Sequence, residues 1–260
     1  MAARTGARGA LRARIAFAAT VLMGRRCLWE IKAKTAMIND AAFHCSNRVC
    51  SARLVWQNGQ KGVAGTPKIV CMNLAKLAGI DFYAPSEIVA RQLIGVTVLV
   101  DGVGGRIVET EAYDREDPAS HAYSGPTERN FAMFGPPAHA YVYRSYGIHW
   151  CLNFVCREEG HGAGVLIRAI EPLAGLDIMR ARRDAEDVTA LCSGPGKLCQ
   201  ALEVTRAFNG RSLAQPPFHL TPAPPGLEIV SGPRIGISKA MDVPWRFGLA
   251  GSRFVSRPFR

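Results

Sequence analysis

None of the eight cysteines stands in a Cys-X-X-Cys pair. Cys27, Cys45, Cys50, Cys71, Cys151, Cys156, Cys192 and Cys199 are too scattered for a zinc ribbon or a four-cysteine iron–sulfur cluster of ordinary spacing. In a chain of 260 residues they read as reduced, largely buried thiols of a cytoplasmic protein. Long apolar runs are missing as well. The stretch Ile15–Met23 is nine residues long, too short to span a bilayer, and it lacks a small-residue cleavage site, so neither a membrane anchor nor secretion is expected. There is no internal repeat. Acidic residues are nearly absent from the first 71 positions, where only Glu30 and Asp40 stand against twelve lysines and arginines. Lysine is nearly absent from the rest, where only Lys76, Lys197 and Lys239 occur.

What is present is a hydrophobic content of 48%, a charged content of 20% and a net charge of +11, the composition of a globular chain able to bury a sizeable core. Basic chains suit polyanionic partners. Here, however, +10 of the +11 sits before Met72, and the remainder balances 20 basic against 19 acidic residues. Any affinity of the rest for nucleic acid must come from local patches. The composition changes at Met72, which predicts a domain over 72–260 preceded by a basic extension over 1–71, disordered or not translated. A DNA-binding arm, an organelle presequence and a translation start at Met72 are the readings open for that extension.

Pro85 and Ser86 open a helix that Gly95 closes. Thr97–Asp101 and Arg106–Tyr113, joined through Gly102, Gly104 and Gly105, predict a β-hairpin, with Ile107, Glu109 and Glu111 on one face by the period of two. Further strands are expected at 138–143, 150–156 and 164–170, helices at 175–183 and 197–204, and a Pro-rich surface excursion over 211–232. This irregular alternation predicts a single mixed α+β domain, a curved, mainly antiparallel β-sheet core flanked by helices.

Four blocks carry candidate chemistry: Val108–His121, Met133–Asn153, Val165–Pro172 and Leu191–Leu202. They bring a carboxylate pair (Glu109, Glu111), tyrosines (Tyr113, Tyr141, Tyr143, Tyr146), His121, Arg168 and Lys197. Aromatic faces and cations together can hold an unstacked base and its backbone, and a carboxylate on a strand can activate water. The same residues also fit amphipathic core-edge tyrosines and ordinary hairpin charges. His121, His139, His149 and His161 lack paired metal-ligand spacing, so no metal or other cofactor is expected. No activating motif surrounds the cysteines. The Ser193–Lys197 loop is too short for a P-loop and suits a DNA-backbone contact at a helix start.

The runs VETEAY, VLIRAIEP and LCSGPGKLCQAL, with Tyr141–Asn153 between them, closely resemble the alkyladenine (3-methyladenine) DNA glycosylase family over about residues 72–255. The resemblance implies a monofunctional glycosylase that flips an alkylated or deaminated purine out of duplex DNA and hydrolyses its N-glycosidic bond. By that resemblance Glu111 is the general base, and Arg168 holds the water and the target nucleotide. Tyr113, His121 and Tyr143 contact the flipped base, and Asn153 discriminates against the guanine 2-amino group. Tyr146 is the wedge, followed by Gly147 and Ile148 in the minor groove, and Arg129 contacts DNA. Glu128 replaces the family's proline, and Arg144 is a large cation beside Tyr143, where smaller or apolar residues are more usual. The partner implied is double-stranded DNA with damaged purines, bound by a monomer without a membrane. A non-catalytic DNA-binding relative is the rival reading, and release of hypoxanthine or 3-methyladenine separates the two.

Overall fold

Apolar residues alternating with others over short runs, broken by Gly and Pro, give a chain of strands with few helices. In the structure, a computed structural model, residues 40–45, 48–55, 68–72 and 76–259 are described. The elements in chain order are β1 (Asp40–Cys45), β2 (Arg48–Val55), β3 (Lys68–Met72), β4 (Lys76–Leu77), β5 (Ile80–Asp81), α1 (Ser86–Leu93), β6 (Thr97–Val100) and β7 (Val103–Tyr113). A 3-10 turn at Phe131–Phe134 precedes β8 (Ala140–Ser145), β9 (His149–Cys156) and β10 (Ala163–Ala174). Next come α2 (Leu176–Arg183), α3 (Val188–Leu191), α4 (Pro195–Ala201), β11 (Phe218–Thr221), β12 (Ile229–Gly232) and β13 (Arg246–Leu249).

The expected α+β class is what the structure has. Eight strands form one antiparallel sheet in the order β11-β6-β7-β10-β9-β8, with β13 on β7 and β12 on β13. Strand β7 is the pivot. Its first half pairs with β6, whereas Glu109–Glu111 pair with β13 along the same edge, so the sheet forks. Strands β1–β3 form a separate three-stranded antiparallel sheet. The other residues of the extension expected over 1–71 lie outside those described.

One face of β7, β8, β9 and β10 makes the core. Ala112, Val142, Leu152, Phe154, Val165 and Ile167 pack there with Val89 and Leu93 of α1 and Leu198 of α4. Thr110 on that face is buried only because its hydroxyl donates to the Ala90 carbonyl of α1 at 2.9 Å. The opposite face of the same four strands is left for a cleft.

Three local expectations change. The hairpin turn is Asp101-Gly102, both at positive φ, while Gly104 and Gly105 lie inside β7. Ile107 does not share a face with Glu109 and Glu111. A register irregularity at Val108 breaks the period of two, and Ile107 joins the main core. The segment 211–232 is not a mere surface excursion. Phe218–Thr221 pairs with β6 at the sheet edge, and Leu213, Phe218 and Leu220 enter the core. Its prolines flank the four-residue strand instead of interrupting it, as an edge strand tolerates.

Candidate active site

A cleft of about 490 Å³ opens on the face opposite the core. Alternate side chains of four neighbouring strands form its floor: Glu111 and Tyr113 from β7, Leu166 and Arg168 from β10, Cys151 and Asn153 from β9, and Tyr141 and Tyr143 from β8. Its walls are Ala119, His121, Arg129 and Met133 on one side, Ile235, Gly236 and Ile237 on another, and Tyr146, His149 and Pro195. The structure therefore brings together Glu111, Arg168, Tyr113, His121, Tyr143, Asn153, Arg129 and Tyr146. Gly147 and Ile148 sit beside Tyr146 on the β8–β9 turn. Lys197 is exposed on α4, near Ser193 (3.5 Å) and away from the cleft lining.

Arg168 shares the cleft face with Leu166, two positions before it, by the period of two. A β-bulge lies there: Ile167 pairs with Thr110 and Ala169 with Glu109, so Arg168 has no partner across the ladder. Its Nε donates to Glu109 Oε1 (3.0 Å), its Nη1 to Glu111 Oε2 (3.1 Å) and its Nη2 to Ser256 Oγ (3.2 Å). Glu111 also accepts from the Tyr113 hydroxyl at Oε2 (2.9 Å) and from the Ile235 backbone N–H at Oε1 (2.7 Å). Glu109 accepts from Arg246 Nε (2.7 Å) and from both the N–H and the hydroxyl of Ser256. Two carboxylates and two guanidinium groups thus form one buried network with equal numbers of opposite charges. Isolated, each ion would cost several kcal/mol to bury.

Burial pushes the Glu111 carboxyl above the usual carboxylate range, against the downward pull of Arg168, the Ile235 N–H and Tyr113. Burial, and then the adjacent Glu111 charge, push the Tyr113 phenol up, so it stays protonated and donates. Behind Tyr113 lies a second buried pair. The Arg234 guanidinium is bonded to the Asp117 carboxylate and to the Ala112 carbonyl, and sits 4.9 Å from the Tyr113 ring centroid and 5.5 Å from that of Trp245. Arg234 does not line the cleft, so it covers the ring face turned away from it.

His121 is open to solvent on one side and shielded on the other, where its ring meets Tyr143 edge-on at 4.5 Å and its Nδ1 lies 3.1 Å from the Tyr141 hydroxyl. Partial burial, then the Arg129 charge, lower its pKa and keep the imidazole neutral near pH 7. Burial lifts Tyr141 to about 12. Asn153 donates to the Tyr141 carbonyl at 3.1 Å. The loop carrying His121 is pinned by Asn130, whose amide donates to the His121 carbonyl at 2.7 Å. Arg129 donates to the Arg144 carbonyl, and Arg144 lies over Trp150.

Tyr146 and Gly147 occupy the two central positions of the β8–β9 hairpin turn with φ of 48° and 69°, closed by Ile148 N–H to Ser145 O at 2.9 Å. That is the primed turn which matches strand twist, and it calls for glycine or a strained residue. It presents Tyr146 at 85% exposure and Ile148 at 75%.

The sequence reading missed Ile235, Arg234, Asp117, Arg246 and Ser256. No motif marks them, save that Asp117 lies within the Val108–His121 block. Ile235 acts through a backbone N–H, and Ser256 lies 147 positions from Glu109. Cys151, Cys156, Cys192 and Cys199 are buried, and burial raises each thiol, Cys192 to about 12, which disfavours the thiolate form. His161 pairs with Asp114 and His139 with the Pro137 carbonyl, each apart from the other.

Residues 81–253 match a family model, methylpurine-DNA glycosylase. A relative in Nitrosospira multiformis is 71% identical over 181 residues, covering 70% of this chain and 94% of the relative. One in Bradyrhizobium diazoefficiens is 60% identical over 171 residues, 66% of this chain and 86% of the relative. One in Rhizobium meliloti is 57% identical over 181 residues, 69% of this chain and 96% of the relative. All three carry a provisional 3-methyladenine DNA glycosylase name. The sheet, the cleft and these matches agree: the chain belongs to the methylpurine-DNA glycosylase family, DNA-repair hydrolases that act on alkylated bases.

Proposed function

We propose that this chain flips alkylated or deaminated purines of the 3-methyladenine, 7-methylguanine and hypoxanthine types out of duplex DNA and hydrolyses their N-glycosidic bond, leaving an abasic site. The observation that carries this reading is Glu111, a buried carboxylate lining a cleft walled by aromatic rings, with an exposed apolar hairpin tip at its rim. Glu111 Oε2 is committed to Tyr113 and Arg168, whereas Oε1 accepts, among the described residues, only the Ile235 N–H. Oε1 is thus the oxygen with a lone pair left for a water proton. Water oxygen attacks the anomeric carbon, its proton passes to Glu111, and the C–N bond breaks with its electron pair leaving on the purine. A cationic alkylated base departs neutral and needs no added proton, whereas hypoxanthine departs as an anion and takes a proton from water. The oxocarbenium-like sugar gains from the nearby carboxylate charge.

In this reading Tyr113 and Tyr143 stack on the flipped base, worth about 1–3 kcal/mol per contact, and electron-rich rings favour a cationic purine. His121, neutral, contacts the base edge, and Asn153 tests the purine 2-position. Tyr146, Gly147 and Ile148 enter the gap and the minor groove, and Arg129 and Lys197 meet the backbone. Among the described residues no lysine lines the cleft, and in this reading water is the nucleophile, without strand cleavage. The working unit is a monomer, cytoplasmic and at the nucleoid, with the glycosylase domain over 72–260 and a separate basic extension before it.

The test is a duplex oligonucleotide carrying one hypoxanthine or one 3-methyladenine. Free base should be released, and the strand should break only after alkali treatment. No base release from either duplex overturns the reading.

A further inference from the structure

Glu109, Arg246 and Ser256 belong to the charged network, yet none of them lines the cleft. Apart from the Glu109 charge, which also acts on Glu111 directly, their contacts reach the cleft through Arg168. We propose that Ser256 is a positioning residue that fixes the Arg168 guanidinium, directly and through Glu109, in the pose that serves Glu111. This rests on the reading of Glu111 and Arg168 as the water-activating pair.

Ser256 makes three contacts. Its backbone N–H donates to Glu109 Oε2 at 2.5 Å, its hydroxyl donates to Glu109 Oε1 at 2.9 Å, and the hydroxyl oxygen accepts from Arg168 Nη2 at 3.2 Å. The hydroxyl is donor and acceptor at once, which an apolar side chain cannot be. With Nε on Glu109 and Nη1 on Glu111, all three Arg168 nitrogens are committed to different partners, and the rigid planar fork has no remaining rotation. Without the Ser256 hydroxyl, Nη2 is left unpartnered and the fork can pivot about its two carboxylate bonds.

The segment Ser256–Phe259 is itself seated. Arg246 donates to the Arg257 carbonyl, and its guanidinium lies 3.9 Å from the Phe259 ring centroid. Phe259 rests on Gly248, where a Cβ would stand 2.3 Å from the ring, so only glycine lets the ring lie there. Gly248 pairs with Glu109 on β7. The seat for Phe259 and the carboxylate that Ser256 binds are therefore the two sides of one rung of the ladder. Arg246 adds the second positive charge, which leaves Arg168 free to serve Glu111 as well as Glu109.

The experiment compares Ser256→Ala and Ser256→Thr with the unmodified full chain on a duplex carrying one hypoxanthine. Ser256→Ala is expected to slow single-turnover excision at saturating enzyme roughly tenfold, as for a buried charged donor left unpartnered. Its affinity for the duplex should stay within about twofold, since Ser256 does not line the cleft. The acid limb of its pH–rate profile should move to higher pH, because a loosened guanidinium holds the Glu111 charge less well. Ser256→Thr keeps the hydroxyl and should regain most of the rate. Excision by Ser256→Ala at the unmodified rate overturns the proposal, and so do equal losses in both variants with an unmoved acid limb. If Ser256→Ala fails to fold, Phe259→Ala carries the test: about threefold slowing with the same pH shift supports it, and an unchanged rate and limb overturn it. An unmodified protein that releases no purine overturns the underlying reading instead.

Discussion

The two ends of the cleft are built on opposite principles. At the β7–β10–β13 end, Glu109, Glu111, Arg168 and Arg246 lie almost wholly out of solvent, and each carboxylate oxygen has a donor. At the β8–β9 tip, Tyr146 and Ile148 stand in water on a turn with positive φ at a tyrosine. Buried charge is tolerated where hydrogen bonds and counter-charges offset desolvation. Exposed apolar surface on a strained turn gains nothing for the free protein, and its return comes when a partner covers it. The first end is suited to fixed electrostatics, the second to insertion into a partner.

The contrast can be broken at four points. At the charged end, Glu111→Gln should cut single-turnover excision by about 10²–10⁴-fold or more while lesion-DNA affinity is largely kept. Excision near the unmodified rate would remove Glu111 as the base. In the unmodified protein the rate should fall as pH drops through the Glu111 pKa. Because burial raises that pKa, the acid limb should lie above the ordinary carboxylate range, and a limb at or below that range contradicts the assignment.

Asp117→Ala should destabilise the fold by about 3–5 kcal/mol, because it strands the Arg234 charge behind Tyr113. Urea unfolding measures it, and a loss under about 1 kcal/mol would show that the pair is open to water.

Tyr146→Ala should behave in the reverse way, with stability changed by less than about 0.5 kcal/mol. Lesion-DNA binding or the flipped population should weaken by about 1–3 kcal/mol, the worth of one stacked aromatic. A reporter base at the target position reads the flipped population, and an unchanged signal would exclude Tyr146 as a wedge.

The smallest effect should come from deleting residues 1–71. Excision at saturating enzyme should be unchanged, affinity should fall modestly at low salt, and log K against log [salt] should flatten as fewer counterions are released. Loss of excision at saturation would place part of that segment inside the catalytic domain.

The hairpin tip was legible in the sequence and the charged end only half so. Tyr146-Gly147 between two strand-like runs announces a tight turn, and a tight turn carries its residues to the surface. Glu109 and Glu111 on one face follow from the period of two. Arg168 follows in the same way from Leu166, but the bulge that leaves it unpaired between Ile167 and Ala169 has no local sign. The strand in Phe218–Thr221 was hidden by flanking prolines, which read as loop until β6 supplies its partner.

By itself, the order of the blocks from Val108 to Leu202 determined the family, the α+β class and most of the cleft residues. Each of those strands carries its own alternation, and its cleft-side residues follow once one of them is known. Only the tertiary structure decided how Glu111 and Arg168 are held. The Ile235 N–H comes from 124 positions away and the Ser256 hydroxyl from 88 positions beyond Arg168. Hydrogen bonds over such separations depend on where the forked sheet brings β13 and the segment after it, and no local pattern of residues encodes that position.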